Sequence, residues 1–136
     1  MVFLGLVSIA LTFLLASRLF GEKIGLLTSL LLAVSPFHLL YSQQLRPYIF
    51  LMCLLLVSLL LLVEYLHNKK TLCLIFLVVV SWMAFYSHVF AAFFVTAEFL
   101  MLLMIAFLKI VPLRIKHILV AGTVTALGWL FWLPIF

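Results

Sequence analysis

Residues 35–50, SPFHLLYSQQLRPYIF, set an Arg, two Gln, a His and two Tyr between the runs LLTSLLLAV and LMCLLLVSLLLLV. A plain connecting loop needs only a few turn residues, so the polar density asks for a chemical reason. Pro36 and Pro47 lack backbone N–H groups and disfavour helix just before them, so they bracket a break between two helices. Pro47 suits the first turn of the second helix, which puts Arg46 at that helix's N-terminal edge. Free N–H groups and the helix dipole favour an anion there. A guanidinium added at that point can grip a phosphate with two parallel hydrogen bonds. Tyr41, Gln43, Gln44 and Tyr48 add neutral donors and acceptors of the kind that hold sugar hydroxyls or phosphate oxygens. A blander reading uses the same residues: Arg46 reaching lipid headgroups and the tyrosines serving as interfacial anchors. The density of hydrogen-bonding groups from His38 to Tyr48 favours the first.

The elements that position these groups belong in a bilayer. The 136 residues are 70% hydrophobic and 8% charged, with a mean hydropathy of +1.52, whereas a soluble domain carries about 25% charged residues. The net charge of +5 does not point to nucleic acid, because the basic residues are scattered between apolar runs and read as topology signals. A helical crossing takes about 20 apolar residues. The expected architecture is all-α, one polytopic transmembrane bundle over 1–136 with spans near 2–19, 24–40, 49–66, 71–87, 89–108 and 118–136. The run 71–108 would be about 57 Å long as one helix, against a hydrocarbon core of about 30 Å. It must break, and FYSHVF (85–90) is its one polar interruption.

Charge orders these spans. Arg18, Lys23, Lys69, Lys70, Lys109, Arg114 and Lys116, seven of the eight Lys and Arg, fall in connections on one side. The positive-inside rule makes that side cytoplasmic. Residues 41–48 and 86–89 then face outward on a multi-pass cell-membrane protein, with Arg46 as the one outward cation. Tyr41, Tyr48, Trp82, Tyr86, Trp129 and Trp132 gather toward the outer side as an aromatic belt would. Small residues in AGTVTALG (121–128) let the last span pack closely on a neighbour. Cys53 and Cys73 lie near opposite faces in this topology, too far apart to bridge. With Val2 already in the membrane and WLPIF at the end, the chain reads as an internal piece of a larger polytopic protein.

Three other ionisable groups carry two readings each. His88, on the second outward turn, suits a general acid or base, a metal ligand or a sugar contact, or an interfacial hydrogen bond; His38 is similar and weaker. Glu98, about 15 Å along a helix from His88, sits near mid-membrane, where an ionisable group is either functional or a protonated hydrogen-bonding residue. Glu64 lies close to the basic end and pairs most simply with Lys69 or Lys70. No HxxxH or HxxE spacing occurs, so no metal site is expected within this chain. The chain holds no Asp, which excludes Ser-His-Asp chemistry and DxD metal sites, and it has no GxGxxG, P-loop or CxxC.

SPFHLLYSQQLRPY, followed by a Leu-rich span, resembles the P-x-H-x-x-Y-S-x-x-x-R-P-Y segment of family 39-like membrane glycosyltransferases. These belong to the C-type superfamily and are relatives of the protein O-mannosyltransferases and lipid A aminoarabinose transferases. LLASRLFGEKIGLLTSLLLAVSPF looks like the span pair before that motif, and WMAFYSHVFAAFF like the downstream span with an outward His. The resemblance implies a C-type fold that moves a sugar from a polyprenyl-phosphate donor to a lipid, glycan or protein acceptor at the outer membrane face. It implies a donor site at Arg46, Tyr48, Tyr41, Gln43, Gln44 and His88. The catalytic acidic residue of such enzymes, usually Asp, sits in an outward loop between the family's first two spans. No residue here matches it, so this chain alone is expected to be inactive and no residue of it is assigned as catalytic. A divalent metal in the full-length parent stays open. The competing reading is a non-enzymatic polytopic protein, part of a transporter or lipid flippase, with Glu98 on the pathway. A small structural membrane subunit is the third.

Overall fold

Hydrophobic residues occupy every face of the long runs, so what separates one helix from the next is where the backbone is interrupted. The computed structural model describes residues 2–44 and 47–131. Among them run seven helices: α1 (Val2–Phe20), α2 (Glu22–Ala33), α3 (Pro36–Gln43), α4 (Tyr48–Asn68), α5 (Thr71–Ser87), α6 (Ala91–Phe107) and α7 (Ile115–Leu130), with no strand. The all-helical class read from the sequence is the class observed.

The interruptions have local causes. Gly21 separates α1 from α2 at φ 93°, a backbone region that costs glycine little and other residues much. Its N–H still bonds the Ser17 carbonyl at 2.9 Å, which closes the last turn of α1. Pro36 begins α3 at its first turn, where a missing N–H costs nothing. The sequence suggests that the chain leaves helix at Pro36; instead Pro36 opens a further short helix, and α2 and α3 meet at a 62° bend. Lys69 and Lys109, at φ 55° and 54°, carry the turns after α4 and α6. His88 ends α5 with its N–H on the Ala84 carbonyl, inside the FYSHVF interruption.

α1 and α4 are long and apolar enough to cross a membrane, and α2 with α3 passes the same test as one bent span. α5, α6 and α7 have 17, 17 and 16 residues. At about 1.5 Å per residue they fall a few ångströms short of a hydrocarbon core of about 30 Å.

The chain divides into two compact units, Met1–Leu60 and Leu61–Phe136. In the first, α1 packs along α2, and α3 returns against both. In the second, α5 and α6 pack with α7 around Leu62, Leu74, Leu77, Val95, Leu102 and Ile118, each at most 2% exposed. Phe3, Phe37, Phe93 and Phe107 are more than 70% exposed, a surface that water would not tolerate in such quantity and lipid does. Hydroxyl side chains meet this setting by turning back on their own helices. Thr12, Ser42, Ser58, Ser81 and Thr125 each donate to a carbonyl three or four residues earlier at 2.6–2.9 Å, as required where no water can satisfy them.

Candidate functional site

The first unit carries its polar groups at the α3 end. Ser8 on α1 is fully buried, and His38 and Ser42 on α3 are 6% and 7% exposed. The Ser8 hydroxyl donates to the Gly5 carbonyl at 2.8 Å and lies 2.8 Å from His38 Nε2. A hydroxyl has one proton, and with that proton on Gly5 the Ser8 oxygen accepts from His38 Nε2–H. Nδ1 then carries the lone pair. Gly5 makes the approach possible: a Cβ built there would stand 2.9 Å from Ser42 Cβ. His38 is thus a strut between α1 and α3. Its sequence signal is small residues three apart on α1 (Gly5, Ser8) facing polar residues four apart on α3 (His38, Ser42). That pattern has meaning only once the two helices are known to pair.

Beside the strut a pocket of about 210 Å³ is lined by Ser35, Phe37, His38, Tyr41, Tyr48 and Ile49, among others. Tyr41 and Tyr48 meet edge to face, ring centroids 5.4 Å apart, and are 38% and 37% exposed. Two tyrosines from the end of one helix and the start of the next therefore wall one cavity. Gln43 is exposed and Gln44 half-buried, with the Gln44 N–H on the Leu40 carbonyl at 3.2 Å. Pro47 immediately precedes α4, and its carbonyl accepts from Leu51 N–H at 2.8 Å. Arg46 lies outside the described residues.

His88 belongs to the second unit. It is half-buried, its Nδ1 accepts from Phe90 N–H at 3.3 Å, and its ring stacks on Phe90 with centroids 5.1 Å apart. Nearby on α5, Trp82 Nε1 donates to the Thr125 carbonyl and Tyr86 Oη to the Gly128 carbonyl, both at 3.2 Å. The small residues of 121–128 thus take aromatic partners. Glu98 is 4% exposed on α6, next to Phe99 of the apolar core. Glu64 accepts from the Asn68 side chain, and Cys53 and Cys73 are both free thiols.

Among the described residues no group of three His, Cys or Glu side chains could hold a metal ion. Polar side chains, aromatic walls and a helix start are what this site has to work with, and they suit recognition of an anion and hydroxyls more than proton transfer.

Neither a curated protein nor a solved structure gives a match to this chain. Residues 1–132 match the model of the dolichyl-phosphate-mannose-protein mannosyltransferase family, and with nearly the whole length matched, the chain belongs to this family of membrane glycosyltransferases.

Proposed function

We propose that the chain forms the donor-holding part of a glycosyltransferase that takes a sugar from a polyprenyl-phosphate carrier at the outer membrane face and passes it to a lipid, glycan or protein acceptor. The observation that carries this reading is the Tyr41–Tyr48 pocket at the start of α4, immediately after the Arg-Pro pair of the polar segment. Arg46 holds the carrier phosphate, and Tyr41, Tyr48, Gln43 and Gln44 take the sugar or the remaining phosphate oxygens. His88 is a further sugar contact in the same reading. As the glycosidic bond breaks, negative charge grows on the departing phosphate. A fixed guanidinium stabilises that charge more in the transition state than in the ground state. No residue of this chain is assigned to deprotonate the acceptor. Six crossings, with the Lys- and Arg-rich connections cytoplasmic, complete the proposal. Family membership favours transfer of a sugar over transport, so Glu98 is read as a buried structural residue.

Binding tests the site without requiring turnover. The protein, in detergent with lipid, is photo-crosslinked to a polyprenyl-phosphate mannose carrying a photoreactive sugar. Losing a charged hydrogen bond costs about 1.5–3 kcal/mol, so Arg46→Lys, which keeps the charge but loses the fork, should weaken labelling roughly ten- to a hundredfold. Arg46→Ala should weaken it further. Wild-type labelling of Arg46→Lys removes the bidentate contact, and wild-type labelling of Arg46→Ala removes the site.

A further inference from the structure

The second unit has a second concavity, and its chemistry differs from that of the tyrosine pocket. Between α5 and α7 runs a groove of about 430 Å³ walled by Leu74, Val78, Trp82, Val120 and Val124. At the N-terminal end of α5 it meets a polar pocket of about 330 Å³ lined by Tyr65, Lys69, Arg114 and others, and Thr71 and His117 line both. Thr71 Oγ1 and His117 Nδ1 stand 3.4 Å apart, so the polar floor of one cavity is the end wall of the other. Lys116 adds a third cation at the mouth of the groove. Among the described residues no carboxylate lines either cavity.

We propose that these joined cavities seat one anionic membrane lipid, an acyl chain in the groove and the headgroup phosphate at Lys69 and Arg114. Three features select that occupant. The groove walls are hydrocarbon, which suits an acyl chain and gives a soluble anion nothing to hold. From Thr71 to Trp82 the groove follows α5 for about 16 Å, close to one leaflet, or half of a hydrocarbon core of about 30 Å. The cations lie at one end alone, where a phosphate diester would arrive if its chain filled the rest. Arg114 offers a planar fork for two phosphate oxygens and Lys69 a point charge. This seat lies at the opposite end of α5 from His88, so within its unit it is separate from the group assigned to the sugar.

The test uses the full chain in phosphatidylcholine nanodiscs titrated with phosphatidylglycerol brominated on its acyl chains, read by quenching of tryptophan fluorescence, since Trp82 walls the groove. Saturable quenching is expected with brominated phosphatidylglycerol, and weak, non-saturating quenching with brominated phosphatidylcholine. The double variant Lys69→Gln/Arg114→Gln should move the midpoint about tenfold or more, the scale for losing hydrogen bonds to a charged group. Lys69→Arg/Arg114→Lys should largely restore it. Val120→Phe, which fills the groove and leaves the cations, should also abolish saturation, and the thermal unfolding of each variant shows whether it is folded. Equal quenching by the two lipids, or an unmoved midpoint in a folded Gln double variant, overturns the proposal. So does competition by millimolar inorganic phosphate together with indifference to Val120→Phe, which would mark a plain anion site.

Discussion

The two units of this chain solve the same problem in different ways. In Met1–Leu60 the buried positions of α1, α2 and α3 are Gly5, Ser8, Ala16, Gly25, Ser29, His38 and Ser42. In Leu61–Phe136 large Leu, Val, Ile and Phe side chains take a much bigger share of the buried positions, beside Ala84, Ala91, Ser81, Glu98 and Thr125. Lipid tails are as apolar as leucine, so burial alone gives helices little reason to associate in a membrane. Close backbone approach and interhelical hydrogen bonds do. The first unit uses those means, with Ser8 and His38 as the polar tie. The second interlocks large side chains around α7. The contrast teaches where each unit is vulnerable: the first to added volume, the second to removed volume.

The largest effect should come from hollowing the second unit. Leu102 is fully buried at its centre. Leu102→Ala should cost about 2–5 kcal/mol, the range for large-to-small core changes, measured by equilibrium unfolding in mixed SDS and nonionic micelles. A loss below 1 kcal/mol would mean that this core is loosely packed and would erase the contrast from that side.

Crowding the first unit should come next. A Cβ on Gly25 would collide with Ser17 Oγ and stand 3.0 Å from the Phe13 carbonyl. Gly25→Val must push α2 off α1, for about 1–3 kcal/mol on the usual cost of overpacking. Gly122 in the second unit is the control. Its nearest neighbour is the Phe99 ring at 3.5 Å, ordinary contact, so Gly122→Ala should be neutral or gain up to about 1 kcal/mol of helix propensity. Equal losses in the two variants would dissolve the distinction.

The smallest effect sharpens it. Ser8→Ala removes the oxygen that His38 Nε2–H donates to. Interhelical hydrogen bonds in membranes average about 0.6 kcal/mol and reach about 1.7, and that is the expected loss in the same micelle assay. A double cycle with His38→Phe isolates the pair. A coupling of zero would mean that α3 is held by shape alone.

The helical class follows from apolar runs on every face, and FYSHVF does end α5 at His88. Pro36 misled, because a proline that stops one helix is equally suited to starting another, and the difference lies in the φ/ψ values of residues 34 and 35. The Tyr41 and Tyr48 side chains come together because the α3–α4 break is short. The Ser8–His38 bond was not legible in the sequence, since it joins residues 30 positions apart and needs the pairing of α1 with α3. The lipid seat was invisible for the same reason: Lys69 and Arg114 sit in separate connections, and the sequence presents both as topology signals.

The bend between α2 and α3 bears on how the chain enters a membrane at all. α2 has 12 residues, about 18 Å, and α3 has eight. Neither reaches across a hydrocarbon core of about 30 Å, and they pass for a crossing only together. Neither half is therefore a crossing by itself, and α2 has α1 as its packed partner. A chain halted between Ala33 and Pro36 during synthesis would leave α2 holding half a span and no anchor of its own.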